Sequence, residues 1–81
     1  MDERLIILGK NIQEARESKK MSRYALGQAL GYKSTCSVRV RKIENAEYYV
    51  TVNTLLMIAD VLQCDVKKLL KGCEGNQTYG K

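Results

Sequence analysis

Apolar residues recur at helical spacing in one segment of this chain after another, and the single strand-like stretch has nothing to pair with. Leu5, Leu8, Ile12 and Ala15 fall at i, i+3, i+7 and i+10, one stripe of a helix from about Glu3 to Lys19 with Lys10, Gln13, Glu14 and Glu17 outside. Ser22 opens a second helix, whose buried stripe is Ala25, Leu26, Ala29 and Leu30 and whose left-handed cap is Gly31. A third, from about Ser37 to Asn45, turns Val40 and Ile43 inward with Cys36 just ahead in the same line. Thr51 caps a fourth with Val52, Leu55, Leu56, Ala59 and Leu62 as core stripe; Asp65 caps a fifth, anchored by Val66, Leu69 and Leu70 and ended by Gly72. Between them, Ala46 to Val50 is aromatic and β-branched but lacks a partner strand, so it reads as an ordered loop. The expectation is an all-α domain of five helices over residues 1–72, followed by a flexible polar tail over 73–81.

With 81 residues there is room for one modest core and little else. The chain has no His, so the usual general base and the commonest metal ligand are missing, and an enzyme, a metal site or a bound cofactor is not expected. Nor does any segment announce a small-molecule ligand. The formal net charge of +5 favours a polyanionic partner. Leu5 to Leu8 and Leu55 to Ala59, the longest apolar runs, are far too short to span a bilayer, and Met1-Asp2-Glu3-Arg4 does not open like a signal peptide. A cytoplasmic protein without a membrane partner is expected. Cys36, Cys64 and Cys73 fit that setting as reduced thiols: Cys64 as a small core residue, Cys73 in the tail, and Cys36 as a redox control point if its thiol is exposed.

The third helix has two faces of opposite chemistry. Opposite Val40 and Ile43 stand Val38, Arg41, Lys42 and Asn45. A DNA major groove offers partners for all of them: guanine acceptors for Arg or Lys, adenine for Asn, a thymine methyl for Val. The plainer alternative is a solvated charged face.

In sequence order a Ser-capped helix, a glycine-started turn and the basic helix follow one another, as in a helix-turn-helix. Leu8-Gly9, Ile12, Arg16, Ser22, Leu26, Leu30-Gly31, Ile43-Glu44, Thr54-Leu55-Leu56 and Ile58-Ala59 together carry the spacing. On these residues the chain resembles the Cro and phage-repressor helix-turn-helix family over roughly Leu8 to Leu70. The resemblance implies a five-helix domain that regulates transcription by binding operator DNA. It also implies a buried ion pair between Arg16 and Glu44, with two solvated charges as the alternative. Carried over by position, Arg23 contacts phosphate or a base edge, Ser37 and Val38 match early base-reading positions, and Arg41 and Lys42 match later ones. Arg39 reaches a phosphate, and Asn45 and Tyr48, with Tyr49, approach the sugar-phosphate backbone again. The run from Gly31 to Glu44 is longer than the family's commonest spacing, which puts Lys33 and Ser34 in a loop and leaves open whether the helix starts near Ser37 or at Ser34 or Thr35. Gly27 replaces a usual alanine and permits close approach of the third helix; Ala46 replaces a common glycine, so Asn45 is expected to supply the left-handed cap.

The leading expectation is therefore a sequence-specific double-stranded DNA-binding regulator, a homodimeric repressor on a palindromic operator. Thr54, Met57 and Val61, on a second apolar side of the fourth helix, are its candidate dimer face; extra burial under the fifth helix explains them equally well. The alternatives are a protein-interaction module on the same scaffold, and an RNA or non-specific nucleic-acid binder.

Overall fold

The computed structural model describes residues 3–73. They form five helices: α1 (Glu3–Ser18), α2 (Arg23–Ala29), α3 (Cys36–Glu44), α4 (Val52–Leu62) and α5 (Val66–Leu69). No strand occurs among the described residues, and Ala46 to Val50 is an irregular loop. The tail expected at 73–81 falls, apart from Cys73, outside the described residues.

Three helix starts are fixed by the side chains that sequence picks out. Ser22 Oγ accepts from the Ala25 amide at 3.0 Å, Thr51 Oγ1 from the Thr54 amide at 3.1 Å, and Asp65 Oδ1 from the Lys67 amide at 3.0 Å. The start of α3 is different. Thr35 precedes it in a left-handed conformation, φ 53° and ψ 32°, and makes no side-chain cap. The helix therefore begins at Cys36, between the two starts left open, near Ser37 and at Ser34 or Thr35, after a turn holding Lys33 and Ser34.

Helices α1 to α4 end in one way. In each, an amide bonds back five residues while its predecessor bonds back three: Met21 to Arg16 and Lys20 to Glu17, Tyr32 to Gly27 and Gly31 to Gln28, Glu47 to Lys42 and Ala46 to Ile43, Cys64 to Ala59 and Gln63 to Asp60. This is the Schellman arrangement, which places one residue in the left-handed region. Those residues are Lys20, Gly31, Ala46 and Gln63, of which only Gly31 is free of the Cβ penalty. Asn45, expected to take the left-handed cap of α3, instead sits at φ −90° and Ala46 takes it at φ 62°. The physical reason is that the bonds from Glu47 and Ala46 fix which residue must turn, and alanine has the smallest side chain that can do so at a buried position.

Ile12, Leu26, Val40, Ile58, Leu62 and Leu69 are the fully buried centre, one or more from every helix. Three expected stripes need correction. Ala29 is exposed on α2, Leu70, expected to anchor α5, is exposed just beyond its end, and on α4 Val52 and Leu56 point outward while Ile58 is buried. The inward stripe of α4 is Leu55, Ile58, Ala59 and Leu62, at i, i+3, i+4 and i+7. Asn11 ties the short α5 to α1, its Nδ2 donating to the carbonyls of Leu69 and Lys71, each at 2.8 Å.

α3 sits in a cleft made by two glycines. A Cβ on Gly9 of α1 would lie 2.3 Å from the Glu44 carbonyl oxygen, and one on Gly27 of α2 would lie 2.6 Å from Cys36 Cβ. Backbone thus meets backbone at both ends of α3, as a mid-helix glycine allows, at a cost of about 1 kcal/mol each in helix propensity.

Candidate nucleic-acid interface

The close seat of α3 brings its last residue onto the scaffold. Arg16 Nε donates to Glu44 Oε2 at 2.6 Å and its Nη2 to Oε1 at 3.4 Å, while Nη1 donates to the Met21 carbonyl at 2.8 Å. Both residues are buried. Arg23, expected at DNA, also engages here: its Nε donates to Glu44 Oε1 at 2.9 Å, and its side chain stays 35% exposed. One buried carboxylate thus holds two guanidinium groups, and every buried polar side-chain atom among the described residues has a partner. Removing either charge of such a pair leaves the other unpaired in low dielectric, so the cluster fixes the angle of α3 against α1 and α2.

With its inner face locked, α3 presents Ser37, Val38, Arg39 and Arg41 to solvent, with Lys42 half-buried and Asn45 exposed at its end. Lys33 and Ser34 are exposed in the turn before it. Arg39 Nε donates to Thr35 Oγ1 at 3.2 Å, and its guanidinium lies 5.0 Å from the centre of the Tyr32 ring. The Lys42 ammonium lies 5.4 Å from the Tyr48 ring centre. Tyr49 beside it is 90% exposed. Cys36 closes the inner side: it is buried against α2 and its Sγ donates to the Tyr32 carbonyl at 3.1 Å, so the exposed thiol that redox control would require is not present.

Sequence reasoning passed over two features of this surface. Tyr24, exposed on α2 next to Arg23, accepts from Gln28 Nε2 at 3.0 Å, leaving its own O–H free to donate. The i, i+4 spacing of Tyr24 and Gln28 was the available signal. The second is a run without carboxylates. From Ser18 to Ile43 there is no Asp or Glu, while Lys19, Lys20, Arg23, Lys33, Arg39, Arg41 and Lys42 supply half of the fourteen basic residues. This concentrates positive charge on the α2, turn and α3 surface, with Glu44 pairing Arg23 and leaving Lys33, Arg39, Arg41 and Lys42 without a carboxylate partner among the described residues.

The candidate dimer face on α4 is partly exposed. Thr54, Met57 and Val61 are half-buried, and Met57 and Val61 pack against the core. No helix of the described residues is long and apolar enough to cross a membrane.

A basic helix held outward by a Ser-capped partner helix, with its end anchored to a first helix, is the docking geometry of a helix-turn-helix. No curated protein and no solved structure matches the chain. The helix-turn-helix family model does, over residues 12–69. The chain belongs to the helix-turn-helix family of the Cro and phage-repressor type, a family of DNA-binding regulators.

Proposed function

We propose that the protein is a sequence-specific transcriptional regulator, a cytoplasmic repressor that binds a palindromic operator as a homodimer. The observation that supports this best is the Arg16–Glu44–Arg23 cluster, which holds α3 rigidly while its outward face carries Ser37, Val38, Arg41 and Asn45. A rigid frame favours direct readout, because base-edge hydrogen bonds discriminate only when their donors are held in register. Arg23, Lys33, Ser34, Arg39, Lys42 and Tyr48 surround that face and supply backbone contacts. A single domain of this size makes few contacts, and two copies on half-sites one helical turn apart double them. On α4 the apolar area offered to a second copy lies with Val52 and Leu56, 72% and 47% exposed, more than with Met57 and Val61.

The test is selection from a random duplex library at near-physiological salt, where non-specific binding is suppressed. An enriched inverted repeat supports the dimeric operator binder, and one enriched half-site supports DNA recognition but counts against the dimer. A folded protein that enriches nothing would overturn the reading in favour of a protein-interaction module.

A further inference from the structure

The three cations of α3 are held in different ways. Arg39 is hydrogen-bonded to Thr35 and stacked over Tyr32. Lys42 is half-buried with its ammonium over Tyr48. Arg41 is exposed, and its side chain has no hydrogen bond, ion pair or ring contact among the described residues. The two rings stand on the segments that flank the helix, Tyr32 in the turn before it and Tyr48 in the loop after it.

We infer that Arg41, together with Val38, determines base specificity, and that Arg39 and Lys42 are backbone clamps set at the two ends of the helix by Tyr32 and Tyr48. This rests on the DNA-binding function proposed above and assigns its parts. To reach a base edge, a ring-held cation must leave its ring; to reach a phosphate beside the helix it can keep it. Arg41 has nothing to give up, and its planar fork matches the N7 and O6 acceptors of guanine. Val38 is an exposed apolar side chain, 39% accessible, one turn ahead of Arg41 on the same outward side. Three residues of helix rise about 4.5 Å, between one and two base-pair rises of about 3.4 Å, a separation at which the two side chains can address neighbouring base pairs. The specified part of the half-site is then a guanine met by Arg41 beside a thymine whose methyl meets Val38. Asn45, at the far end of the helix, lies outside this pair.

The experiment repeats the library selection with Arg41→Ala, Lys42→Ala, Arg39→Ala and Tyr48→Leu, each checked for an unchanged melting temperature. Arg41→Ala is expected to erase preference at one base pair, costing about 10- to 100-fold on the selected duplex and little on scrambled DNA. Lys42→Ala and Arg39→Ala are expected to weaken both duplexes by the same factor and each to lower the salt slope by about one. Tyr48→Leu should behave like Lys42→Ala and add nothing to it in the double variant. Flattening of a base position by Lys42→Ala or Arg39→Ala, or a uniform loss with Arg41→Ala, would overturn the assignment. An enriched site unaffected by Arg41→Ala defeats this inference alone, whereas no enrichment by the wild type defeats the DNA-binding function beneath it.

Discussion

Gly9→Ala sets two effects of opposite sign against each other in the middle of α1. Helix propensity favours alanine by about 1 kcal/mol. Against this, the new methyl would stand 2.3 Å from the Glu44 carbonyl oxygen, 2.9 Å from its carbon and 3.1 Å from the Ile43 carbonyl oxygen. These are backbone atoms of the last turn of α3 and cannot rotate aside, so α3 must shift bodily. Overpacking of this kind costs about 1–3 kcal/mol. The shift also draws Glu44 away from Arg16, whose Nε is only 2.6 Å away, and breaking a buried pair outright costs about 3–5 kcal/mol. Partial loss of that pair plus overpacking outweighs the propensity gain, for a net destabilisation of about 2 kcal/mol. In a domain of this size that lowers the melting temperature by roughly 8–16 °C. Thermal unfolding followed by circular dichroism measures it directly. A melting temperature equal to or above that of the wild type would refute the close seating of α3 on α1.

Glu44→Gln leaves the buried Arg16 and the part-exposed Arg23 without their shared carboxylate, so unfolding in denaturant should show a loss of about 3–5 kcal/mol, and a loss under about 1 kcal/mol would contradict the anchoring role. Thr35→Asn should raise stability by about 1 kcal/mol in the same assay, because a β-branched residue at φ 53° is strained where asparagine is tolerated; a decrease would mean that the Arg39 bond to Thr35 Oγ1 outweighs the strain. With a thiol-alkylating reagent on the native protein, Cys36 should be modified more slowly than the half-buried Cys64 and Cys73, as mass spectrometry of the digested chain would show. Modification of Cys36 at or above their rates would contradict its burial against Gly27.

Local chemistry made the helices legible. Ser22, Thr51 and Asp65 announce helix starts through bonds that span two or three residues, and such signals do not depend on the rest of the fold. The conformations of Thr35 and Ala46 are not local in that sense. Nothing in their residue types favours a left-handed backbone: Ala46 is turned by the bonds from Glu47 to Lys42 and from Ala46 to Ile43 that close α3, and Thr35 lies where the chain enters α3. The orientation of α4 escaped pattern reading because the helix is apolar around most of its circumference, so Val52 and Leu56 fit a core stripe as well as Ile58 does. In the recognition helix, periodicity finds the outward residues but not how each cation is held. That depends on where Tyr32 and Tyr48 come to rest, which is a property of the packed turn and loop. The bond from Arg23 to Glu44 is likewise a product of packing, joining residues 21 apart in sequence.

The most direct test of the central claim is the ratio of dissociation constants for the selected duplex and for the same duplex with its half-sites scrambled, measured by fluorescence anisotropy at near-physiological salt. A sequence-specific regulator should show a ratio of about 1,000 or more. A ratio near one, with binding that vanishes as salt rises, would mean that the basic face of α3 attracts DNA by charge without reading it.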